Sequence, residues 1–247
     1  MIHLRLPDDK IRRLTFYLSM EEYAAQFLPD SFFLWQVAPT VIFGRNQDME
    51  AEVNTQFCTE NGVQMYRRKS GGGCVYSDQG NLMISCISSE RDVESMFRRF
   101  LDSVAEVLRQ MGMEAVKSEN NDILVGGRKV SGNAFHVMPK AGVVHGTLLY
   151  EMDFEQMQYA ITPSKEKLDS KGIKSVRQRV ANLKELGIEY DLDSVKSKLI
   201  NYFCNGEMIL SDEQIADIEA LEQGYLDVNF IRYGRATGKS DEKNLSL

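Results

Sequence analysis

The sequence predicts an α+β domain. Apolar runs of strand length, bounded by Gly, Pro, Asn or Asp, crowd the chain up to about Met152, whereas helical spacing dominates its last third. No repeat and no Pro-rich linker divides the 247 residues, a length that supports one large core.

From the N-terminus, LTFYLSMEEYAAQFL carries Phe16, Tyr17, Met20, Tyr23, Ala24, Phe27 and Leu28 at helical spacing. SFFLWQV and TVIFG follow as short apolar strands around a turn at Pro39, and VQMYRR, GCVYS and NLMISCI read as three more. The clearest helix has Val93, Met96, Phe97, Phe100, Leu101, Val104, Leu108 and Met111 on one face and stops at Gly112. DILVGGRKVSGNAFHVM reads as a hairpin, Asp122–Val125 and Lys129–Met138, turning at Gly126-Gly127. VVHGTLLYEM is another strand and FEQMQYAI a short helix. A polar, basic stretch then leads to helices near Leu192–Phe203 and from Ser211, where Gln214 completes a capping box and the helix is expected to end near Gly224. The tail GKSDEKNLSL is expected to fray.

Hydrophobic content of 43% and charged content of 26% are those of a soluble globular protein. The net charge, 29 − 36 = −7, argues against nonspecific nucleic-acid binding. The N-terminus has no apolar core of signal-peptide length and no window has the ~18 apolar residues of a membrane span, so a cytoplasmic location with no membrane partner is expected. Cys58, Cys74, Cys86 and Cys204 show no CxxC spacing beside three histidines, which disfavours a structural zinc site and suits reduced thiols.

Four stretches carry candidate chemistry. RRKSGGGCVYSDQGN, residues 67–81, sets Gly71, Gly72 and Gly73 inside a run that otherwise reads as strand. Glycine weakens a strand, so three together imply close approach of something to the backbone, and Arg67, Arg68 and Lys69 add cations suited to a carboxylate or phosphate. A flexible glycine hairpin is the plain alternative, and the spacing is neither a Walker A loop nor GxGxxG. NDILVGGRKVSG places Lys129 just past a hairpin turn, either as an ordinary edge lysine or reaching a pocket, with Asn121 and Asp122 able to orient it or bind a metal. His145 in HGTLL is a core histidine or a catalyst. Lys171, Lys174, Arg177 and Arg179 in KGIKSVRQRVANL form a solvated face or an anion-clamping loop.

In this order the stretches resemble the lipoate-protein ligase A family. FGRNQDMEAEVN is similar to its GRxQN segment, RRKSGGGCVYSDQGN to RRxSGGGxVxHDxGN, NDILVGGRKVSGNA to NDL–GRKISGxA, and HGTLL and KGIKSVRQRVANL to HHGTLL and KGxxSVRSRVxNL. The likeness spans about Val41 to Leu183. It implies a mixed, mostly antiparallel sheet with helices on its faces, the catalytic fold shared with biotin ligases and related to class II tRNA synthetases. It implies an enzyme that uses ATP, Mg²⁺ and lipoate to form lipoyl-AMP and then moves the lipoyl group to a lysine of a lipoyl domain, in 2-oxoacid dehydrogenase complexes or the glycine cleavage H protein. Lys129 would then be catalytic. Arg68, Ser70, Gly71, Gly72, Gly73, Cys74, Ser77, Asn81, Asn121, Asp122, Gly132, Ala134, His145, Thr147, Lys174 and Arg177 would bind substrate, and Asp122 would hold Mg²⁺. The family's HD is Ser77-Asp78 here. A single catalytic domain over 1–247 is expected, without the C-terminal accessory domain of two-domain relatives, so that a separate small subunit could supply that part. The competing reading is an octanoyl or lipoyl transferase acting without ATP through a cysteine thioester; the hairpin and PKAGVVHG contain no cysteine, and Cys74 sits where the ligases carry a small residue, which suits a packing role.

Overall fold

The computed structural model describes residues 1–90, 92–162 and 179–234, apart from the Val93 side chain. The predicted basic residues Lys171, Lys174 and Arg177 and the tail therefore lie outside the described residues. In chain order the elements are β1 (Ile2–Arg5), α1 (Leu14–Phe27), β2 (Ser31–Trp35), β3 (Thr40–Phe43), α2 (Met49–Glu52), α3 (Thr55–Glu60), β4 (Gln64–Arg67), β5 (Val75–Ser77), β6 (Asn81–Ser88), α4 (Val93–Gln110), β7 (Ala115–Lys117), β8 (Asp122–Val125), β9 (Arg128–Val137), β10 (Gly142–Leu149), α5 (Phe154–Ala160), α6 (Leu192–Phe203), β11 (Gly206–Ile209), α7 (Asp212–Leu226) and α8 (Val228–Tyr233).

The strands form two sheets. The larger runs β11-β1-β2-β6-β10-β9-β8-β7, parallel at β11-β1-β2 and antiparallel from β2 onward; the smaller runs β4-β3-β5. The mixed, mostly antiparallel expectation holds for the larger sheet, and the chain leaves it at the Pro39 turn to build the second. β1, β7 and β11 are too short to announce themselves, and β1 pairs with β11 from Ile2↔Gly206 to Arg5↔Ile209, two segments that local patterning cannot bring together.

Helices cover both faces of the large sheet, and β6 shows why its sequence is almost unbroken apolar. Leu82, Ile84 and Cys86 enter a core with α4 and α6, while Met83 and Ile87 enter one with α1 and α7. On α4, Met96, Phe100, Leu101, Val104 and Leu108 fill the first core as the periodicity predicts. Asp92 caps α4 through Ser95 N at 3.2 Å, and Gly112 ends it in the left-handed region at φ +83°. The predicted Ser211–Gln214 capping box starts α7, which runs past Gly224 to Leu226 before Asp227 caps α8. A third core joins β3 and β5 to α2, α3 and α5. Gly126 and Gly127, at φ +57° and +74°, make the tight turn the hairpin reading requires. No helix among the described residues is long and apolar enough to cross a membrane.

Gly80 marks the join between β6 and the turn leading to α5. Its carbonyl accepts from Tyr150 N at 3.1 Å and Glu151 N at 2.8 Å, and a Cβ would strike the Glu151 carbonyl. Gly80→Ala should therefore cost about 1–3 kcal/mol, seen as a lower urea midpoint at unchanged slope. An unmoved midpoint would show that this backbone yields freely.

Candidate active site

A cavity of about 460 Å³ opens between the large sheet and the small one. Strand alternation builds its floor from two cross-strand rows. Trp35, Met83, Thr147, Gly132 and Asp122 lie side by side across β2-β6-β10-β9-β8, and Ser85, His145 and Ala134 form the next row. Leu14, Leu18 and Ile42 extend the lining apolarly beside Trp35 and Met83; Met152, Met157 and Ile161 extend it on the α5 side.

Lys129 reaches this floor through a break in register. Ile123 pairs with Ser131 but Leu124 pairs with Lys129, so Val130 is an extra residue in β9. Val130 is fully buried in the α4 core, and the bulge returns Lys129 to the cavity face. The side chain lies over Gly132, where a Cβ would collide with the ammonium, and meets Asp122 Oδ1 at 2.7 Å. Arg179 contacts the other carboxylate oxygen. Asp122 is buried, and the two cations are what permits an ionised carboxylate there. Asn121 donates to Asn133 O at 2.6 Å while Asn133 Nδ2 donates to Asn121 O at 3.0 Å, locking the start of β8 to β9.

The glycines do not lie in a strand. Gly71–Gly73 form the loop between β4 and β5, with Gly72 at φ +98°. The cause is Arg68, whose guanidinium is buried and gathers backbone carbonyls: Gly71 O from Nε and Nη2 at 3.1 and 2.8 Å, Gly73 O at 2.7 Å and Ile42 O at 3.3 Å. Burial holds its pKa down to about 10, which leaves it charged at neutral pH. The neighbouring cations do not face the cavity. Arg67 donates wholly to backbone carbonyls of α8 and of the loop after β3, and Lys69 pairs with Glu22 at 2.7 Å and stands over the Tyr225 ring at 4.4 Å.

His145 is both a lining residue and part of a buried polar chain. Its Nε2 meets Ser70 Oγ at 3.2 Å and its Nδ1 meets Glu21 Oε2 at 3.0 Å; Glu21 Oε1 accepts from Ser85 Oγ at 2.5 Å, which accepts from Trp35 Nε1 at 2.9 Å. The order Ser–His–Glu is that of a nucleophilic triad. The space beside Ser70 is about 10 Å³, room for one water molecule and not for an acyl group, so the chain orients the histidine.

Of the predicted residues, Arg68, Gly72, Gly73, Cys74, Asn121, Asp122, Lys129, Gly132, Ala134, His145 and Thr147 line the cavity. Ser77 and Asn81 do not: both are fully buried behind the wall and bonded to each other at 3.1 Å, fixing the turn into β6. Asp78 holds the same turn, accepting from Gly80 N at 2.8 Å and Asp153 N at 2.9 Å. Sequence reading missed Asn133, whose Oδ1 occupies the place of a Gly146 side chain, and Asn182, whose amide clamps Met152 with bonds of 3.0 and 2.9 Å. Each sits in a quoted motif, which is the signal that could have found it.

A family model described as lipoyl protein ligase A/B catalytic domain matches residues 14–204. The chain belongs to that family. Lipoate-protein ligase LplJ of Bacillus subtilis is 40% identical over 194 residues, 76% of this chain and 58% of that protein. Lipoate–protein ligase 1 of Staphylococcus aureus is 35% identical over 240 residues, 93% of this chain and 73% of that protein. Among solved structures, the bi-partite lipoate protein ligase of Thermoplasma acidophilum, studied with its E2 lipoyl domain, superposes with a TM-score of 0.82 at 25% identity, covering 94% of this chain and 95% of that one. A lipoate-protein ligase A bound with ATP has the same fold, with a TM-score of 0.81 at 24% identity, covering 94% and 98%. The α+β architecture of this ligase-family chain is thus that of the lipoate ligases.

Cysteine chemistry separates Cys74 from the rest. Cys58 and Cys86 are buried; burial pushes the thiols of Cys58, Cys86 (to about 12) and Cys204 (to about 11) up. Cys74, partly buried like Cys204, is the described cysteine that lines the cavity. Iodoacetamide at neutral pH should label Cys74 first, as mapped by peptide mass, and a ligand filling the cavity should slow it. Equal labelling of Cys86 would contradict the burial.

Proposed function

We propose that the chain is an ATP-dependent lipoate–protein ligase, forming lipoyl-AMP and passing the lipoyl group to a lysine of a lipoyl domain. The observation that carries this is the Lys129 ammonium held over Gly132, midway along a cavity with an apolar arm on either side. The arm at Leu18, Trp35 and Met83 suits a hydrocarbon tail, and the arm at Met152, Met157 and Ile161 suits a purine. The cationic waist between them suits the carboxylate and the α-phosphate.

In the first step a lipoate carboxylate oxygen attacks the α-phosphorus and the bond to the β-phosphate breaks, releasing pyrophosphate. Lys129 and Arg179, stored on Asp122, would turn to the anion as negative charge grows at the α-phosphate. Arg68 would act mainly through the glycine loop it shapes, which would let the ligand approach the backbone without side chains in the way. In the second step the acceptor amine attacks the carbonyl, AMP leaves with the bonding electron pair, and the amine loses its proton. His145, oriented by Glu21 and Ser70, would line the acyl end with Ala134 and Thr147.

Among the described residues no three His, Cys, Asp or Glu side chains gather as a metal cage. Mg²⁺ commonly takes one or two carboxylates and fills its shell with water and substrate phosphates, a habit that Asp122 fits. When bound, Mg²⁺ would neutralise phosphate charge. Acceptors would be lipoyl domains of 2-oxoacid dehydrogenase complexes or the glycine cleavage H protein; the Thermoplasma relative was studied with such a domain.

The test is purified chain with ATP, Mg²⁺ and lipoate, with and without an apo lipoyl domain and a small accessory protein, read by intact mass. The lipoyl domain should gain one lipoyl group. Lys129→Ala should lower pyrophosphate exchange by on the order of a hundredfold or more. Normal exchange in that variant would remove the role given to Lys129. A cysteine-thioester transferase would instead need Cys74, the cysteine in the cavity wall among the described residues. Cys74→Ser should keep most activity; its complete loss, with a trapped acyl-thioester in the unmodified protein, would favour the transferase.

A further inference from the structure

Arg67 ends β4 and is 2% exposed, yet no carboxylate among the described residues bonds it. Its guanidinium donates to six backbone carbonyls. Three close α8: Phe230 O at 3.0 Å, Ile231 O at 2.9 Å and Arg232 O at 2.8 Å. Ile231 O and Arg232 O are carbonyls a helix end leaves without helical partners, Phe230 O also accepts from Gly234 N at 2.9 Å, and a cation there faces the negative end of the helix dipole. The other three belong to the loop after β3: Gly44 O at 3.1 Å, Arg45 O at 3.0 Å and Gln47 O at 2.7 Å. The Phe43 ring lies under the guanidinium at 4.8 Å.

The loop after β3 in turn touches the glycine loop. Arg45 N donates to Ser70 O at 3.0 Å, and Gly44 packs so closely under Gly72 that a Cβ would strike the Gly72 carbonyl. A line of backbone contacts therefore joins α8 to the cavity wall through one side chain.

We infer that Arg67 is a positioning residue that makes the seating of α8 part of the site, by fixing the loop 44–47 on which Gly71–Gly73 rest. Phe230 and Ile231 of the same helix also pack into the second and third cores. Loosening the Arg67 clasp on its last turn would change the glycine loop, and so affinity for the anionic part of the ligand, while the sheets keep their pairing. The consequence for ATP binding rests on the ligase reading; the coupling itself does not.

Two variants test it. Arg67→Lys keeps the charge but cannot span both sets of carbonyls. Asp227→Ala removes the α8 cap, which accepts from Asn229 N at 2.8 Å and Phe230 N at 3.1 Å, and lies far along the chain from the site. The readout is the alkylation rate of Cys74, next to the last glycine, with Cys58 and Cys86 as buried controls and amide exchange over 228–234 reporting the helix. In either variant Cys74 should react several-fold faster while Cys58 and Cys86 stay protected, and KM for ATP should rise with kcat little changed. An unchanged Cys74 rate with faster exchange over 228–234 would overturn the coupling. Exposure of Cys58 and Cys86 together with Cys74 would overturn it too, reducing Arg67 to a general fold contact. If the chain turns out not to be a ligase, the KM arm alone is lost and the Cys74 rate still decides.

Discussion

Two guanidiniums, placed in succession at the end of β4, are buried without carboxylate partners among the described residues, and the geometry of the site depends on them. An unpaired ion moved from water to a protein interior costs several kcal/mol even after relaxation. Arg67 and Arg68 offset that cost with backbone carbonyls, which also fixes those carbonyls in space. Because successive residues of a strand point to opposite sides, one arginine turns to the helix at the chain's far end and the other to the glycine loop. The glycine triplet is therefore shaped by its neighbour: Arg68 pulls the carbonyls of Gly71 and Gly73 inward, and Gly72 must take a positive φ to allow it.

The same economy of space explains Lys129. A lysine held in the middle of a cavity needs a counter-charge and room for its stem. Asp122 supplies the first, and Gly132 the second by lacking a side chain. The β-bulge at Val130 decides which way the lysine faces, since strict alternation from Gly132 would have sent it to the α4 core. The proposed anhydride chemistry would use cations positioned in this way before the ligand arrives.

The second sheet gives the cavity its two-armed form. β2 and β3 are neighbours in sequence but lie in different sheets, so Trp35 and Ile42 line the cavity from two directions. His145 lines the cavity and is held from behind by Glu21 and Ser85. Fully paired, this buried chain fixes one orientation of the imidazole; the small space beside Ser70 keeps it from serving an acyl-serine.

Much of this was legible in the residues themselves. Alternation with period two and spacing near 3.6 located most long strands and helices, because each buries one face or both against a core and the pattern records it. The glycine turn at Gly126-Gly127, the caps and the stop at Gly112 follow from backbone sterics that a sequence expresses directly. The ordered motifs, read as a family likeness, point to Lys129, Asp122, His145 and Arg68, which the fold gathers around one cavity. What the sequence could not express was contact between distant segments. Short strands such as β1 and β11 carry too few residues for a period and exist only because they pair with each other. The split of Arg67 from Arg68, the retreat of Ser77 and Asn81 behind the wall, the Asn121–Asn133 lock and the bulge all depend on which carbonyl, side chain or empty space the fold brings opposite. Those partners lie from twelve to more than a hundred and sixty residues away in several cases, and only tertiary packing chooses them.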